Sequence, residues 1–345
     1  MTELTAYLLH PIGPWHLAER GVGIEETADF VRSDTLFSAL CCAVRLGWGE
    51  DELLRFLAPF RADDPPFLLT SAFPFSGGIR FLPIPRLPLP SELPDDVRSR
   101  IRQTRWVSTT VFDAWRHCSL TLDMLHPTCF LLEYAVWLAP SEERLLPESY
   151  RRGTPLWARD VTPRVTVDRA ANASQVFRAG HLRFGPESGL HLLVAWRDPA
   201  WRPLVEGALR ELGLLGLGGL RSTGHGQFRL APAEPLLLER AASGVGILLS
   251  LYAPSPRDLE AGVLGPRARY DLVVRSGWIS SPDGASYRRK ELHFLTEGSL
   301  VDVPADAPVL GQLVDVTPDV MRSMHPVYRY GYAFLVPAFV EGEDR

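Results

Sequence analysis

A glycine-rich stretch over residues 216–228, with the sequence GLGGLRSTGHGQF, constrains this chain more than any other segment. Five glycines in the eleven residues 216–226 permit positive φ angles and let a ligand approach the backbone N–H groups. Arg221, Ser222, Thr223 and His225 add donors that suit phosphate oxygens or a sugar edge. The flanking patterns predict an amphipathic helix over 201–215 and a short strand over 227–231. The order is therefore helix, glycine stretch, strand.

Part of this stretch approaches the phosphate-binding P-loop motif, because four residues separate Gly219 from Gly224. That motif requires a strand before the loop, a helix after it and a lysine at the position of His225. We therefore exclude a Walker-type ATPase. A flexible turn that binds nothing is the alternative to a ligand-binding loop.

Length and composition predict a soluble protein of two domains. A chain of 345 residues is longer than a single hydrophobic core usually supports. A content of 46% hydrophobic and 22% charged residues is typical of globular proteins. The formal net charge of −5 argues against a uniformly basic nucleic-acid binder, but not against a local basic surface. Lys290 is the only lysine among 36 basic residues, and the arginines suit bidentate phosphate contacts.

The cysteines and the N-terminus indicate a cytoplasmic protein. No two of the four cysteines form a C-x-x-C pair, so we expect free thiols and neither a disulfide framework nor a metal site. The N-terminus lacks a signal-peptide pattern, and no apolar run reaches membrane-spanning length. Nothing in the sequence indicates a cofactor.

Two arginine-rich segments precede the glycine stretch. The first begins with recurrent prolines, which forbid a regular core element, and continues with arginines among aromatic residues, including Arg102, Arg105 and Trp106. Such an insertion suits single-stranded nucleic acid, because arginines can contact the phosphates and aromatic rings can stack on the bases. The alternative is a solvated helix face. The second segment contains Arg164 and Arg169.

The order of predicted elements indicates an α+β fold. We expect a strand over 3–10, a helix with Ser33 as its N-cap, and strands over 174–184 and 189–196 before the helix and glycine stretch. A smaller block of strand, short helix and further strands follows. This arrangement predicts helices on one face of an antiparallel sheet.

Four landmarks in this chain resemble a known family. They are HLAERGVG at 16–23 with SDTLFSA at 33–39, the glycine stretch, RSGW at 275–278 with RRK at 288–290 and EGS at 297–299, and HPVYRYGYAF at 325–334. In this order they are similar to the fourth subunit of Csm-type (type III-A) CRISPR interference complexes, a Cas5-like group of the RAMP superfamily. The resemblance spans nearly the whole chain.

The resemblance implies two ferredoxin-like (RRM-like) domains, at 1–238 and 239–345, with a projecting thumb inserted at about 87–125. It implies a non-catalytic subunit that holds the repeat-derived 5′ tag of the CRISPR RNA. It also implies contacts with the large polymerase-like signalling subunit and with the backbone RAMP subunit, and no membrane contact.

The candidate site residues follow from the residue types and the resemblance together. Those expected to bind the RNA are His16, Arg20, Gly21, Ser33, Arg164, Arg169, Gly218, Gly219, Arg221, Ser222, Thr223 and His225. Those expected to do so from the thumb are Arg102, Arg105 and Trp106. Trp278, Tyr328 and Tyr330 are assigned to partner contact, with buried packing as the alternative.

Two other functions stay open. RAMP relatives that process CRISPR RNA also carry a glycine loop, so a metal-independent endoribonuclease is the first alternative. General acid–base cleavage requires a His with a Tyr or Lys at one 2′-OH, and His10 and His16 have no lysine near them. A protein adaptor without RNA contact is the second, and it would explain the acidic net charge.

Overall fold

The computed structural model describes residues 2–18, 25–89, 93–133, 135–168, 173–238, 244–279, 287–305, 309–321 and 325–339. These residues form strands, α-helices and short 3-10 turns, which confirms the predicted α+β class. The strands are β1 (Thr2–Pro11), β2 (Phe67–Leu69), β3 (Phe73–Ser76), β4 (Ile79–Pro83), β5 (Trp106–Ser108), β6 (Phe130–Leu131), β7 (Val136–Trp137), β8 (Trp157–Asp168), β9 (Ala173–Phe184), β10 (Ser188–Trp196), β11 (Phe228–Leu230), β12 (Glu234–Leu238), β13 (Gly244–Leu248), β14 (Leu272–Arg275), β15 (Leu292–Leu295), β16 (Leu300–Val303), β17 (Leu313–Asp315), β18 (Tyr328–Tyr330) and β19 (Leu335–Ala338). The α-helices are α1 (Ser33–Trp48), α2 (Glu50–Arg61), α3 (Asp95–Gln103), α4 (Thr109–Arg116), α5 (Glu148–Arg151), α6 (Arg202–Leu215) and α7 (Pro256–Glu260).

A ten-stranded sheet organises the first two-thirds of the chain. Its order is β11-β1-β10-β3-β4-β5-β7-β6, with β12 also paired to β1 and β2 to β10. The first four strands of that order are antiparallel, and their register pairs Tyr7 with Leu192 and Phe73 with His191. Helix α1 follows β1 and helix α6 follows β10, and the two helices contact each other. Their buried side chains recur at helical spacing, as in Leu36, Leu40 and Val44.

The start of α1 differs from the sequence-based prediction. Arg32 occupies the N-cap position and Ser33 is the first helical residue. The Ser33 hydroxyl accepts a hydrogen bond of 3.0 Å from the Leu251 N–H, and its own N–H donates to the Ser71 hydroxyl at 2.9 Å. Its side chain is fully buried. Ser33 therefore joins α1 to the second half of the chain, and the prediction that it meets RNA at a helix N-terminus is wrong.

The second half consists mainly of short strands. Strands β16, β13 and β19 form one antiparallel sheet, and β14–β15 and β17–β18 form two hairpins. Tyr330 packs against Phe37 of α1 with ring centroids 5.0 Å apart, and its hydroxyl accepts a hydrogen bond from the Leu69 N–H at 3.1 Å. Because Tyr330 is fully buried, its prediction as a partner-binding residue is wrong and buried packing is its role.

The segment over 87–125 is not a projecting insertion. Its strand β5 pairs with β4 and β7 in the main sheet, and Trp106, Val107 and Phe112 are buried. The Trp106 indole N–H donates to the Asp29 carboxylate at 3.1 Å. Trp106 is thus a core residue and not a platform for bases. Arginines and aromatics alternate in this segment because one of its faces is buried and the other is exposed.

The hairpin β8–β9, and not segment 87–125, extends outside the main sheet. Its two strands pair over twelve residues each, from Trp157 opposite Phe184 to Asp168 opposite Ala173. The end near the sheet is buried, but farther out Val161, Val165 and Val176 are 50, 56 and 68% exposed. Such exposure of apolar residues in a long paired hairpin is typical of an element that contacts another molecule.

A buried ion cluster ties the two halves together. Asp34, in the first turn of α1, is fully buried and accepts hydrogen bonds from Arg275 at 3.0 and 3.1 Å and from Arg329. Burial by itself would raise the pKa of the Asp34 carboxyl, but Arg275 and Arg329 outweigh it and hold that pKa well below its usual range. No helix of the described residues combines the length and apolar character needed to cross a membrane.

We predict that Asp34→Asn lowers the free energy of unfolding by about 3–5 kcal/mol, because it leaves two buried guanidinium groups without their counter-charge. Chemical denaturation measures the loss. The matched control is Asp96→Asn, which removes an exposed pair with Arg100 at 3.2 Å and should lower stability by less than about 1 kcal/mol. Equal effects of the two substitutions would contradict the assigned role of Asp34.

The same cluster predicts a pH dependence. The pKa of Asp34 is lowered in the folded state, so its stabilisation is present above the unfolded value of about 3.9 and is lost as the pH falls below it. The stability difference between the wild type and Asp34→Asn should therefore shrink below about pH 4. A difference that grows on acidification would contradict this sign.

Candidate functional site

A cleft of about 260 Å³ lies where the glycine stretch, α1 and the second half meet. Gly216–Gly219 and Arg221 form one wall, and Thr35, Ser38 and Cys42 of α1 line the cleft beside them. The other wall carries Arg275, Trp278 and Arg289, and Arg32 completes the lining before α1. Sequence segments more than 60 residues apart thus converge on one site, which the sequence alone could not show.

The glycine stretch is held against the N-terminal segment by close backbone contacts. Gly218 has a φ of 95°, and a Cβ there would overlap the carbonyl oxygen of His16. The N–H of Gly219 donates to that same oxygen at 2.8 Å, and the N–H of Gly226 donates to the Pro14 carbonyl at 3.0 Å. Glycine at 218 is therefore required both by the backbone conformation and by the approach of residue 16.

Several N–H groups of the stretch stay without internal partners. Among the described residues, nothing accepts a hydrogen bond from the backbone N–H of Gly218, Leu220, Arg221 or Ser222. The side chains of Arg221 and Ser222 are exposed, and the Arg221 guanidinium makes no ion pair with a described residue. Successive free N–H groups beside an arginine form an anion-binding surface.

Three histidines support the stretch from inside. His16, His181 and His225 are 5, 2 and 3% exposed. A hydrogen bond of 3.0 Å joins His225 Nε2 to His181 Nδ1, and His16 Nδ1 donates to the Gly180 carbonyl at 2.8 Å. Burial, together with Arg164, lowers the pKa of His181 and of His225, which keeps both neutral at neutral pH.

These contacts correct two predictions. The side chains of His16 and His225 are expected from the sequence to contact RNA, but both are buried and bonded to protein groups. They fix the glycine stretch to the base of the β8–β9 hairpin, where His181 lies. Arg164 of that hairpin is half-buried and lies 3.5 Å from His225 Nε2.

The remaining candidate residues lie at several places. Arg102 is exposed on α3, and Arg105 pairs with Asp29 at 3.3 Å and lies over the ring of Phe30, a residue of the cleft lining. Tyr328 is half-buried beneath the guanidinium of Arg61, 5.9 Å from its ring centroid. Arg20, Gly21 and Arg169 lie outside the described residues.

The sequence-based site misses three arginines of the cleft and assigns its tryptophan differently. Arg32, Arg275 and Arg289 line the cleft, and Trp278, assigned from the sequence to partner contact, lines it as well and is 56% exposed. The signal was present in the RSGW and RRK segments, but only the folded chain brings them opposite Gly218 and Arg221. No group of three or more metal-ligating side chains that could hold an ion occurs within the described ranges.

Comparisons with known proteins show which proteins this chain is similar to. The sequence family described as the CRISPR Csm4 C-terminal domain matches residues 242–338. The "CRISPR system Cms protein Csm4" of Mycobacterium tuberculosis is 26% identical over 321 residues, which cover 89% of this chain and 90% of the relative. The protein of the same name from Thermococcus onnurineus is 25% identical over 334 residues, covering 97% of this chain and 96% of the relative.

Two solved structures share the fold. One is a Csm3-Csm4 subcomplex in the type III-A CRISPR-Cas interference complex, with a TM-score of 0.65, 16% identity and coverage of 97% of this chain and 99% of that chain. The other is a Csm1-Csm4 cassette in complex with pppApA, with a TM-score of 0.60, 19% identity and coverage of 99 and 100%. The chain is thus similar to Csm4 proteins along almost its whole length, and its residues 242–338 match the Csm4 C-terminal domain family.

Proposed function

We propose that this protein is a subunit of a Csm-type CRISPR complex and holds the 5′ tag of the CRISPR RNA in the cleft between its two halves. The observation that carries the proposal is the wall formed by free N–H groups of Gly218 and its neighbours beside the unpaired Arg221. Single-stranded RNA is bound largely through backbone donors, arginine and stacking, which this wall can supply. The net charge of −5 does not oppose this role, because four arginines line the cleft and no carboxylate is among its lining residues.

We propose that the chain consists of two ferredoxin-like domains, 1–238 and 239–345. In the first, the antiparallel order β11-β1-β10-β3 with crossover helices α1 and α6 is the βαββαβ arrangement. In the second, β16-β13-β19 supplies three adjacent strands, and α7 is the one α-helix of its described residues. The second domain is therefore a reduced version of the first.

We propose that the β8–β9 hairpin is the thumb of this subunit. Segment 87–125 belongs to the main sheet, whereas the hairpin extends beyond it. Arg164, in the outer half of β8, and His181, nearer the base in β9, contact His225 of the glycine stretch. A hairpin anchored beside the tag-binding wall is placed to bend the RNA where it leaves the cleft.

We propose that the chain binds the large polymerase-like signalling subunit and the backbone RAMP subunit. Relatives of this fold are described in a Csm1-Csm4 cassette and in a Csm3-Csm4 subcomplex. On this chain, Tyr270, Leu272 and Val274 alternate along one side of β14 and are 42, 56 and 42% exposed. An exposed apolar strand of this kind suits a protein interface. A cytoplasmic location stays a prediction.

We propose that the subunit does not cut RNA. Its cleft-side histidines are buried and satisfied by His181, Thr223 and backbone carbonyls, so none is free to approach a 2′-OH. For His225, burial lowers the pKa and so disfavours the charged form needed for a general acid.

Arg221→Ala should weaken binding of tag RNA by about tenfold, the equivalent of one charge-assisted hydrogen bond, and lower the salt slope of binding by about one. The melting temperature should stay unchanged, because Arg221 makes no internal ion pair. Fluorescence anisotropy at several salt concentrations measures both parameters. Arg257→Ala on α7 removes another exposed arginine, outside the cleft, and should change neither. An unchanged slope for Arg221→Ala would show that this residue contacts no phosphate.

Replacing residues 165–176 by an Asn-Gly turn should shorten the nuclease-protected RNA beyond the tag. The change keeps the pair between Arg164 and Phe177 and closes the hairpin with a two-residue turn. Tag affinity should be retained, since the cleft is untouched. A footprint of unchanged length on the assembled complex would reject the hairpin as the thumb.

Purified protein incubated with repeat RNA in EDTA should leave the RNA intact. Denaturing electrophoresis over several hours is the measurement. Site-specific cleavage that disappears in His16→Ala, but persists in the exposed-histidine control His293→Ala, would establish the endoribonuclease alternative. Thermal melting of His16→Ala checks that loss of cleavage is not loss of the fold.

A further inference from the structure

Arg289 is a cation without a counter-charge in the wall opposite the glycine stretch. It is half-buried and lines the cleft, yet it makes no hydrogen bond or ion pair through its guanidinium with a described residue. Its Nε atom is buried and has no partner. Buried polar groups in native proteins are almost always paired, so an exception of this kind indicates a group that acquires its partner from a ligand.

Asp34 is the carboxylate whose charge acts on Arg289, and it is already engaged, as is Glu297, which pairs with the cleft residue Arg32. Asp34 accepts hydrogen bonds from Arg275 and Arg329, and Glu297 pairs with Arg32 at 2.6 Å and accepts from the Ser71 hydroxyl. Burial lowers the pKa of Arg289, although Asp34 opposes this effect, and a guanidinium stays charged at neutral pH. An anion that entered the cleft would therefore enter a space lined by both Arg289 and Arg221.

Trp278 is fixed next to this cation. The N–H of Arg289 donates to the Gly277 carbonyl at 2.9 Å, and Trp278 forms a β-bridge with Arg288, whose guanidinium lies 5.3 Å from the indole centroid. The indole is 56% exposed at the cleft. An exposed ring stiffened by its backbone pairing is a suitable platform for a nucleobase.

The geometry points to a subsite for one unpaired nucleotide of the RNA, in which Trp278 stacks on the base while Arg289 and Arg221 hold its phosphate. This inference rests on the proposed RNA-binding function and adds a residue-level role for the second half. The cleft volume of about 260 Å³ lies near the lower end of ligand pockets, about 300–1,000 Å³, which suits a single nucleotide unit. An acidic peptide could pair with Arg289, but it would leave the indole and the N–H groups of the glycine stretch unused.

A double-mutant cycle, which combines the Trp278→Ala variant with RNAs that lack single bases, tests the stacking. The full chain, assembled with its partner subunits, is titrated with a set of single-stranded tag RNAs that each carry one abasic nucleotide. One abasic position should weaken wild-type binding by about tenfold and have no effect in Trp278→Ala, since the lost stacking is the same interaction. Trp278→Phe should keep most of the affinity, and Trp48→Ala, an exposed aromatic outside the cleft, should behave as wild type.

Arg289→Ala separates a ligand-binding role from a structural one. RNA affinity should fall about tenfold and the salt slope by about one, whereas the melting temperature should stay the same or rise, because an unpaired desolvated charge is removed. Arg257→Ala is again the matched control. A lower melting temperature with unchanged RNA affinity would overturn the inference.

Cysteine protection gives an independent readout. Cys42 is exposed and lines the cleft, and Cys118 is exposed outside it. Bound RNA should slow alkylation of Cys42 by iodoacetamide and leave Cys118 unaffected. Equal alkylation rates of Cys42 with and without RNA would overturn the subsite.

The outcomes distinguish the inference from the function on which it rests. Loss of RNA binding in Arg221→Ala but not in Trp278→Ala or Arg289→Ala overturns the nucleotide subsite and leaves the proposed function intact. Absence of RNA binding by the wild-type assembly overturns both. Normal RNA binding by Arg289→Ala, combined with failure to assemble with another subunit, would make this wall a protein interface and also overturn the subsite.

Discussion

The carboxylate of Asp34 is the interaction on which the cleft depends. It lies fully buried at the start of α1 and is shared by Arg275 and Arg329 from the second half. Since Arg275 also lines the cleft, the contact that joins the halves sets the position of one wall against the other. Buried ion pairs are weak sources of stability but define geometry well, because a misplaced partner leaves a desolvated charge.

The arginines around the cleft divide into two groups with different roles. Arg32, Arg275 and Arg329 are matched by Glu297 and Asp34, and they fix the fold. Arg221 and Arg289 form no ion pair with a described residue, and we propose that they meet a ligand. A protein with a negative net charge can therefore present a cationic site, because arginines without a paired carboxylate lie near arginines that are neutralised by one.

Some of this could be predicted from the sequence and some could not. The glycine stretch and the α+β class follow from local signals, namely glycine spacing and apolar periodicity. Trp106 and Tyr330 were misassigned because an aromatic residue beside arginines gives the same sequence pattern whether it is buried or exposed. The pairing of β5 with β4 and β7 decides the burial of Trp106, and the contacts with Phe37 and the Leu69 N–H decide that of Tyr330. Arg289 was missed because its position opposite Arg221 depends on contacts between segments that are 68 residues apart in sequence.

The rigidity of the glycine stretch lowers the conformational entropy that it would lose on binding a ligand. A free glycine loop would lose much conformational entropy on binding. Here Gly219 and Gly226 donate to the carbonyls of His16 and Pro14, and His225 is bonded to His181 of the hairpin. The unbonded N–H groups between these anchors are thus oriented before any ligand arrives. Glycine is needed for the close approach of the two backbones, and the flexibility that it would otherwise bring is removed by those same contacts.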